Sequence, residues 1–371
     1  MTAAWPGVSV VVPVLNEERH LQSSVRHVLA QDYPGPLEVI LSVGPSQDRT
    51  HDIAERLAAA DDRIRVVDNP AARTPAALNR GVAAARFDII VRVDGHGELT
   101  DGYIRRAVQL LAETGAANVG GVMDAQGETP FEEAVAVAYT TKLGLGGSAF
   151  HLAESPAGEA ETVFLGVFRK DVITAIGGFD ESMHRAQDWE LNHRLRLAGH
   201  RVWFSPDLRV TYRPRATLAA LIRQMYETGR WRREVIRRYP ETASVRYLAP
   251  PVAVSGIVVG TGLGLLGLRL GSRVLRAGFA APLGYLGLIL AGSLVTSRSM
   301  SDAARVRLPL VLVATHLAWG TGFLVGLRRA APAGAAREGS DSDSPVAPTR
   351  RPNGVSGPPV SRIQNPDAEG S

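Results

Sequence analysis

The chain has 371 residues, 45% of them hydrophobic, which is enough for one sizeable core and a second region beside it. The formal net charge of +4 is too small to favour a nucleic-acid-binding protein, so no nucleic-acid partner is expected. Cysteine is absent, which excludes a disulfide framework, a thiolate nucleophile and a cysteine zinc site.

The first part of the chain alternates short apolar runs with amphipathic segments. Strands are predicted at residues 9–14, 37–43, 64–67 and 87–93, where β-branched residues are frequent and the runs are apolar on both faces. Helices are predicted after the first three strands, starting near Asn16, Thr50 and Thr74. This alternation predicts an α/β fold with a mostly parallel central sheet and right-handed connections.

The middle of the chain continues with helices and strands of similar length. The predicted elements are a helix at 103–111, a strand at 119–123, a helix that starts near Asp188 and has Leu191, Leu195 and Leu197 on its apolar side, short strands at 202–204 and 209–212, and a strongly basic amphipathic helix at 218–238.

Asp94 and His96 flank Gly95 directly after the fourth predicted strand. Ligands of α/β sheets bind at the carboxyl ends of strands. A carboxylate and an imidazole with open positions suit Mg²⁺ or Mn²⁺ that also binds a substrate diphosphate, rather than a closed structural metal site. Because Asp-Gly is also an ordinary turn pair, these residues alone leave a purely structural role open.

The composition changes after Pro250-Pro251. Three uncharged runs, 252–268, 279–295 and 308–327, are each close to the roughly 17–25 residues that span a bilayer as a helix. Arginines mark both connecting segments, so they set no orientation, and a hairpin or interfacial segment stays open. The amino terminus lacks a basic segment followed by a long apolar one, so the main domain is expected to stay in the cytoplasm.

These patterns divide the chain into four parts. Residues 1–217 are predicted to form the main domain, 218–248 a basic amphipathic membrane-proximal helix, and 249–329 about three transmembrane helices. Residues 330–371 have almost no bulky apolar side chain, so they are predicted to be a disordered tail. The protein is therefore expected to be a multi-pass protein of the cell membrane.

A set of short motifs occurs in one order over the first half of the chain. They are Pro13-x-x-Asn16-Glu17, Ser46-x-Asp48-x-Thr50, Ala77-x-Asn79-x-Gly81, Asp94-x-His96, Gly177-Gly178-Phe179-Asp180 and Gln187-Asp188. The ordered set resembles an inverting family 2 glycosyltransferase with the GT-A nucleotide-sugar-binding fold. The segment Val91-Arg92-Val93-Asp94-Gly95-His96 and the apolar carboxyl-terminal part resemble, in particular, the succinoglycan-type membrane-associated glucosyltransferases.

The resemblance implies a role for each motif. Asp94 and His96 fall on the family's metal-binding motif for Mn²⁺ or Mg²⁺, Asp188 falls on its catalytic base, and residues 1–217 correspond to its GT-A catalytic domain. The implied donor-binding residues are Pro13, Asn16, Glu17, Asp48, Asn79 and Asp94; the implied acceptor-binding residues are Trp189 and Glu190; Arg230 and Trp231 are expected at phosphates or the membrane.

Simpler roles stay open for several of these residues. An aspartate at a helix start is often only a cap, and a tryptophan beside it is often part of the core, which applies to Asp188 and Trp189. Pro13 and Asn16 are equally suited to shaping their loop. The acidic residue that the family uses to hold the nucleotide base is replaced here by Val43-Gly44-Pro45.

The expected function is inverting transfer of a hexose such as glucose from a nucleotide-sugar, a UDP-sugar first of all, to a lipid-linked saccharide or a growing cell-surface polysaccharide. A polyprenyl-phosphate sugar transferase, whose acceptor is the lipid phosphate itself, is an alternative within the enzymes. A catalytically silent, membrane-anchored scaffold that only binds nucleotide is an alternative outside them.

Overall fold

The computed structural model describes residues 4–145 and 147–327, and the predicted tail at 330–371 lies outside them. The strands within these residues are β1 (Val8–Val14), β2 (Leu37–Val43), β3 (Ile64–Asp68), β4 (Ile89–Arg92), β5 (Glu98–Leu99), β6 (Asn118–Ala125), β7 (Gly158–Glu159), β8 (Phe164–Arg169) and β9 (Val202–Tyr212). They form one sheet in the order β3-β2-β1-β4-β8-β6-β9-β5, with β7 paired to β9.

The helices flank this sheet and continue beyond it. They are α1 (Leu21–Leu29), α2 (Thr50–Ala60), α3 (Thr74–Ala84), α4 (Tyr103–Thr114), α5 (Pro130–Thr140), α6 (Lys170–Ala175), α7 (Gln187–Leu197), α8 (Leu218–Arg238), α9 (Val245–Arg269), α10 (Arg273–Arg276), α11 (Ala280–Thr296) and α12 (Asp302–Val325). The basic helix predicted at 218–238 coincides with α8, whereas the sequence did not indicate α5 and α6.

The sheet is parallel in its first half and mixed in its second. Strands β3, β2, β1 and β4 are parallel neighbours, which matches the expected alternation of strands and helices. Strand β8 then runs antiparallel to both β4 and β6, so the sheet as a whole is mixed rather than mostly parallel. Because β1 and β4 are parallel neighbours, their carboxyl ends lie side by side at one edge, where a ligand binds in such folds.

The two short strands predicted at 202–204 and 209–212 are one strand, β9. Phe204 pairs with Gly120 and Arg209 pairs with Val122, so residues 205–208 bulge opposite Gly121 alone. Pro206 lies in this bulge, where a residue without a backbone N–H does not interrupt a ladder. The predicted gap is therefore an irregularity within a continuous strand.

The apolar strands are buried because helices cover both faces of the sheet. Val10, Val12 and Val91 pack with Leu21 of α1 on one face. Val11 packs with Leu78 of α3 on the other face. This two-sided burial explains why β1 and β4 read as continuous apolar runs, without the polar alternation of a half-exposed strand.

Three helical segments at the carboxyl-terminal side are long and apolar enough to cross a membrane: Val245–Arg269, Arg273–Thr296 and Asp302–Val325. They include the first two predicted apolar runs, and the third run, 308–327, extends two residues beyond Val325. Large apolar side chains such as Val258, Leu283 and Leu294 are exposed on them. Helix α9 begins at Val245, four residues before the boundary predicted at 249, and it continues through Pro250 and Pro251.

Helix α12 packs closely against α8 through glycines on both helices. A Cβ atom at Gly229 of α8 would lie 2.0 Å from the carbonyl oxygen of Trp319, and one at Gly322 of α12 would lie 2.0 Å from that of Tyr226. Both contacts are with backbone, so neither can be relieved by a side-chain rotation. This contact joins the apolar helices to the domain that carries the sheet.

We predict that Gly229→Ala destabilises the protein by about 1–3 kcal/mol, because the added methyl group has to separate two packed backbones. Gly256→Ala is the matched control, since no atom lies within 4 Å of the Cβ position of that helical glycine. The measurement is thermal unfolding in detergent, with a lower Tm expected for Gly229→Ala only. Equal Tm values for the two variants would contradict the close contact.

Candidate active site

The side chain of Arg92, at the end of β4, lies between two carboxylates. Its Nη2 atom is 3.0 Å from Oδ1 of Asp94, and its Nη1 atom donates a hydrogen bond to Oδ1 of Asp188 in the first turn of α7. The Arg92 side chain is only 4% exposed, while that of Asp188 is 28% exposed. Arg92 therefore brings together the two acids that the sequence placed at the metal site and at the catalytic base.

Burial raises the pKa of Asp188 above its usual range, and the positive charge of Arg92 opposes that rise. A carboxylate with a raised pKa is a stronger base once ionised, and Arg92 favours the ionised form. Asp188 has only one oxygen bonded to Arg92, and within the described part of the chain its Oδ2 atom accepts no hydrogen bond. Its environment thus suits proton abstraction.

His96 and Glu17 form a second pair next to Asp94. Nδ1 of His96 lies 2.8 Å from Oε1 of Glu17, and this hydrogen bond raises the pKa of the imidazole. With Nδ1 bonded to the carboxylate, Nε2 is the ring nitrogen left to bind a metal, as in carboxylate–histidine–metal arrangements. The described residues contain no group of three or more His, Asp or Glu side chains placed to hold a metal. Asp94 and His96 therefore fit an open, two-ligand site that a substrate diphosphate would complete.

Asn16 and Asp48 brace the loops behind this pair. The Oδ1 atom of Asn16 accepts a hydrogen bond from the backbone of Gln47 at 2.8 Å. Asp48 accepts hydrogen bonds from the backbone of Thr50 and Glu18 at 3.0 and 3.2 Å, and its pKa is lowered chiefly by its hydrogen bond with the Thr50 hydroxyl. Both side chains are thus engaged with the protein, and they hold in place the loop that presents Glu17.

Asn79 has a similar bracing role in front of α7. Its side-chain amide bonds both the N–H and the C=O of Phe179, at 2.8 and 2.9 Å. The adjacent Gly178 has a φ of +70°, and a Cβ there would lie 2.6 Å from Oδ1 of Asn79. Glycine is therefore required at Gly178, and Asn79 fixes the segment that leads to Asp188.

The remaining predicted residues fall into two groups. Trp189 and Trp231 border the same cavity as Asp188. Glu190 is 1% exposed and bonds Arg194 at 2.6 Å. Arg230 bonds Glu227 at 2.8 Å and the carbonyl oxygen of Gly326 at 3.0 Å. Glu190 and Arg230 therefore stabilise the protein through these contacts with other residues of the chain. Neither side chain borders the cavity.

A cavity of about 1290 Å³ connects these groups. Pro13, Glu17, Asp94 and His96 border one end, Asp188 and Trp189 the middle, and Tyr285, Thr315 and Trp319 of α11 and α12 the other end. One end is thus polar and the other lies among the apolar helices. No sequence motif gave Arg92 a role, although a charge near the end of a buried apolar strand is a signal that could have singled it out.

A sheet of this order, with Asp94 and His96 at the edge of its parallel half, is the GT-A fold of nucleotide-sugar-dependent transferases. It is shared by the mannosyltransferase PcManGT of Pyrobaculum calidifontis, solved in complex with GDP-Man and Mn²⁺. The TM-score is 0.54 at 19% identity, over 85% of this chain and 88% of that one, so this likeness concerns the fold.

The chain belongs to glycosyltransferase family 2, because residues 6–233 match the model described as glycosyltransferase like family 2. The succinoglycan biosynthesis protein ExoA of Rhizobium meliloti is 35% identical over 85% of this chain and 93% of its own length. A dolichyl N-acetyl-α-D-glucosaminyl phosphate 3-β-D-2,3-diacetamido-2,3-dideoxy-β-D-glucuronosyltransferase of Methanococcus voltae is 25% identical over 62% of this chain and 74% of its own. The family and the fold inferred from the motifs are thereby confirmed.

We predict that Arg92→Met destabilises the protein by roughly 2–4 kcal/mol near pH 7.5, because it leaves two carboxylates without their shared counter-charge. Without Arg92, the pKa of Asp188 rises further. A carboxyl group whose pKa is raised by folding costs stability above that pKa, and the cost fades as the pH falls through it. The loss should therefore be smaller near pH 5.

The measurement is chemical unfolding in detergent at both pH values. Arg80→Met serves as the control, since Arg80 is an exposed arginine of α3. A loss of the same size at both pH values would contradict the coupling between Arg92 and the carboxylates.

Proposed function

We propose that this glycosyltransferase transfers a hexose from a nucleotide-sugar to a lipid-linked saccharide, with inversion, during assembly of a cell-surface polysaccharide. The observation that carries the proposal is the single cavity that runs from Asp94 and His96, past Asp188, to α11 and α12. A nucleotide-sugar fits the polar end and a lipid-linked acceptor fits the apolar end. The relatives named for succinoglycan biosynthesis and for a dolichyl-linked sugar acceptor support this choice.

Asp188 is the base in this proposal. Its carboxylate takes the proton of an acceptor hydroxyl while the oxygen attacks the anomeric carbon, and the bond from that carbon to the nucleoside diphosphate breaks. Attack opposite to the leaving group inverts the configuration. Arg92 orients Asp188 and favours its ionised form, and Trp189 borders the cavity beside Asp188, where the acceptor sugar would lie.

Asp94 and His96 would hold a divalent cation, Mn²⁺ or Mg²⁺, with His96 oriented by Glu17. Such a cation would neutralise the charge that develops on the leaving diphosphate. The sequence Val43-Gly44-Pro45 provides no carboxylate for the nucleotide base, so the base is best identified by a donor panel that starts with UDP-sugars.

The helices α9, α11 and α12 would anchor the enzyme as membrane spans, with the sheet domain on the cytoplasmic side, where nucleotide-sugars are made. Their exposed apolar side chains support contact with lipid. The alternative acceptor, a polyprenyl phosphate, differs in its need for a base. A phosphate oxygen is already ionised at neutral pH, so its attack does not require Asp188.

We therefore predict that Asp188→Asn lowers transfer to a hydroxyl acceptor by about 10²–10⁴-fold, while nucleotide-sugar binding stays near the wild-type value. The assay is release of nucleoside diphosphate from UDP-, GDP- and dTDP-sugars by detergent-purified protein with lipid-linked acceptors. Asp62→Asn is the matched control, because Asp62 is an exposed aspartate.

Two outcomes would overturn the proposal. Full activity of Asp188→Asn with polyprenyl phosphate would identify the lipid-phosphate transferase instead. Binding of a nucleotide-sugar without turnover of any donor, with every acceptor tested, would identify the silent scaffold.

Glu17→Gln should raise the Mn²⁺ concentration for half-maximal activity by about 10–100-fold, with much of the activity recovered at saturating metal. The reason is that the amide still accepts a hydrogen bond from His96 but no longer increases its basicity. Glu18→Gln, on the adjacent residue, is the control. An unchanged metal requirement in Glu17→Gln would exclude Glu17 from supporting the metal site.

A further inference from the structure

Arg232 of α8 is a partly buried cation that lies against two aromatic rings. Its guanidinium carbon lies 3.9 Å from the ring centre of Tyr247 and 4.9 Å from that of Trp189. Among the residues that the structure describes, Arg232 has no salt bridge of its own, because the nearby carboxylate of Glu161 pairs with Arg246, and the Nη1 atom of Arg232 is buried without a hydrogen-bond partner. Burial, with the nearby charge of Arg246, lowers the pKa of Arg232. A cation held at such a cost indicates that an anion from outside the chain completes the site.

Two further N–H groups without a partner belong to residues that border the same cavity. Arg246, in the first turn of α9, lies against the same Tyr247 ring, with its guanidinium carbon 4.4 Å from the ring centre. It bonds Glu161 at 2.7 Å and the carbonyl oxygen of Gly147 at 2.5 Å, but its Nε atom has no partner in the described chain. Nε1 of Trp189 is likewise buried without a partner. Three unpaired donors, and two guanidinium groups that share the single carboxylate of Glu161, match a ligand with several anionic oxygens.

The position of this cluster separates it from the donor end. Trp189 directly follows Asp188, and Arg246 begins the first apolar helix. Tyr247 stacks on Trp319 of α12, with ring centres 6.5 Å apart. The cluster therefore lies where the cavity passes from Asp188 to the apolar helices, while Glu17, Asp94 and His96 border its opposite end.

We propose that Arg232, Arg246 and Trp189 bind the diphosphate group of the acceptor lipid, whose chain lies along α9, α11 and α12. This inference rests on the proposed function and names its acceptor class, a saccharide linked to an isoprenoid chain through a diphosphate. In such a molecule the first sugar is attached directly to the diphosphate, so binding at Arg232 presents its hydroxyl groups to Asp188. Leu288, Val252 and Pro250 line the adjoining apolar part.

The first test measures binding of farnesyl diphosphate to the full chain in detergent. Binding is detected through the fluorescence of the tryptophans that border the cavity. Arg232→Gln should weaken binding by about 10–100-fold, because a charge-assisted contact with the anion is lost. Arg232→Lys should recover part of it, since it keeps the charge but not the planar stacking. Arg223→Gln, on an exposed arginine of the same helix, should bind as the wild type does.

Two further ligands identify the source of the anion. Farnesol should bind weakly to every variant, because it lacks the diphosphate. Inorganic diphosphate that binds as tightly as farnesyl diphosphate would identify a free-anion site and overturn the lipid assignment. Unchanged binding of farnesyl diphosphate by Arg232→Gln would overturn the proposal as well.

The second test separates this site from the donor site. In Arg232→Gln the KM for the lipid-linked acceptor should rise while the KM for nucleotide-sugar hydrolysis without acceptor stays unchanged, which also shows that the variant is folded. A raised donor KM would assign Arg232 to the donor diphosphate and overturn the proposal. If the wild type turns over no nucleotide-sugar, the proposed function fails, whereas the binding test still decides whether the lipid site exists.

Discussion

The arrangement of the site depends on one buried cation, Arg92, held between two carboxylates. Asp94 and Asp188 come from distant parts of the chain, and Arg92 is 96 residues away from Asp188 in sequence. Without a counter-charge, two neighbouring acids at the rim of the sheet would repel each other, and burial would favour the protonated form of Asp188. The shared guanidinium supplies that counter-charge to both carboxylates, at the cost of burying a cation, which is tolerated because both partners are in place. The packing of α7 against β4 is thereby tied to the chemistry.

The loops around this contact hold it by hydrogen bonds rather than by apolar packing. Asn79 clamps the backbone of Phe179, and Asp48 clamps the start of α2, so the loops that carry Asp188 and Glu17 are both braced from behind. Ala186, just before α7, has a φ of 60°, which costs a non-glycine residue roughly 1 kcal/mol or more. Strain of this kind persists only where the surroundings fix the backbone, as these clamps do.

The sequence predicted the main elements of the fold and the acids of the site, because those features depend on local patterns. Two-sided burial is visible in β1 and β4 as uninterrupted apolar runs, and strand ends meet at one edge whatever the details of packing. Side-chain partners are not local. Asn79 bonds a residue 100 positions away in the sequence. No local sequence pattern therefore tells whether its side-chain amide binds a ligand or holds the protein's own backbone. For the same reason, the sequence did not show which arginine of α8 borders the cavity. Arg230 and Arg233 donate hydrogen bonds to backbone carbonyl groups near the end of α12, whereas Arg232 lies against the ring of Tyr247.

The two ends of the cavity differ in how the charge of their side chains is balanced. This difference determines whether a diphosphate would need a cation in order to bind there. At the polar end, where the proposed donor binds, Glu17 and Asp94 are carboxylates, so a bound cation would offset their repulsion of a donor diphosphate. At the other end, Arg232 is unpaired in the described chain, so a diphosphate there meets a positive charge directly and needs no metal. Between the two lies Asp188, with its single counter-ion Arg92. In the proposed function, a leaving group assisted by a cation on one side and a lipid anchor without a metal on the other would leave Asp188 free of either diphosphate, so that it could act on a hydroxyl rather than on a phosphate.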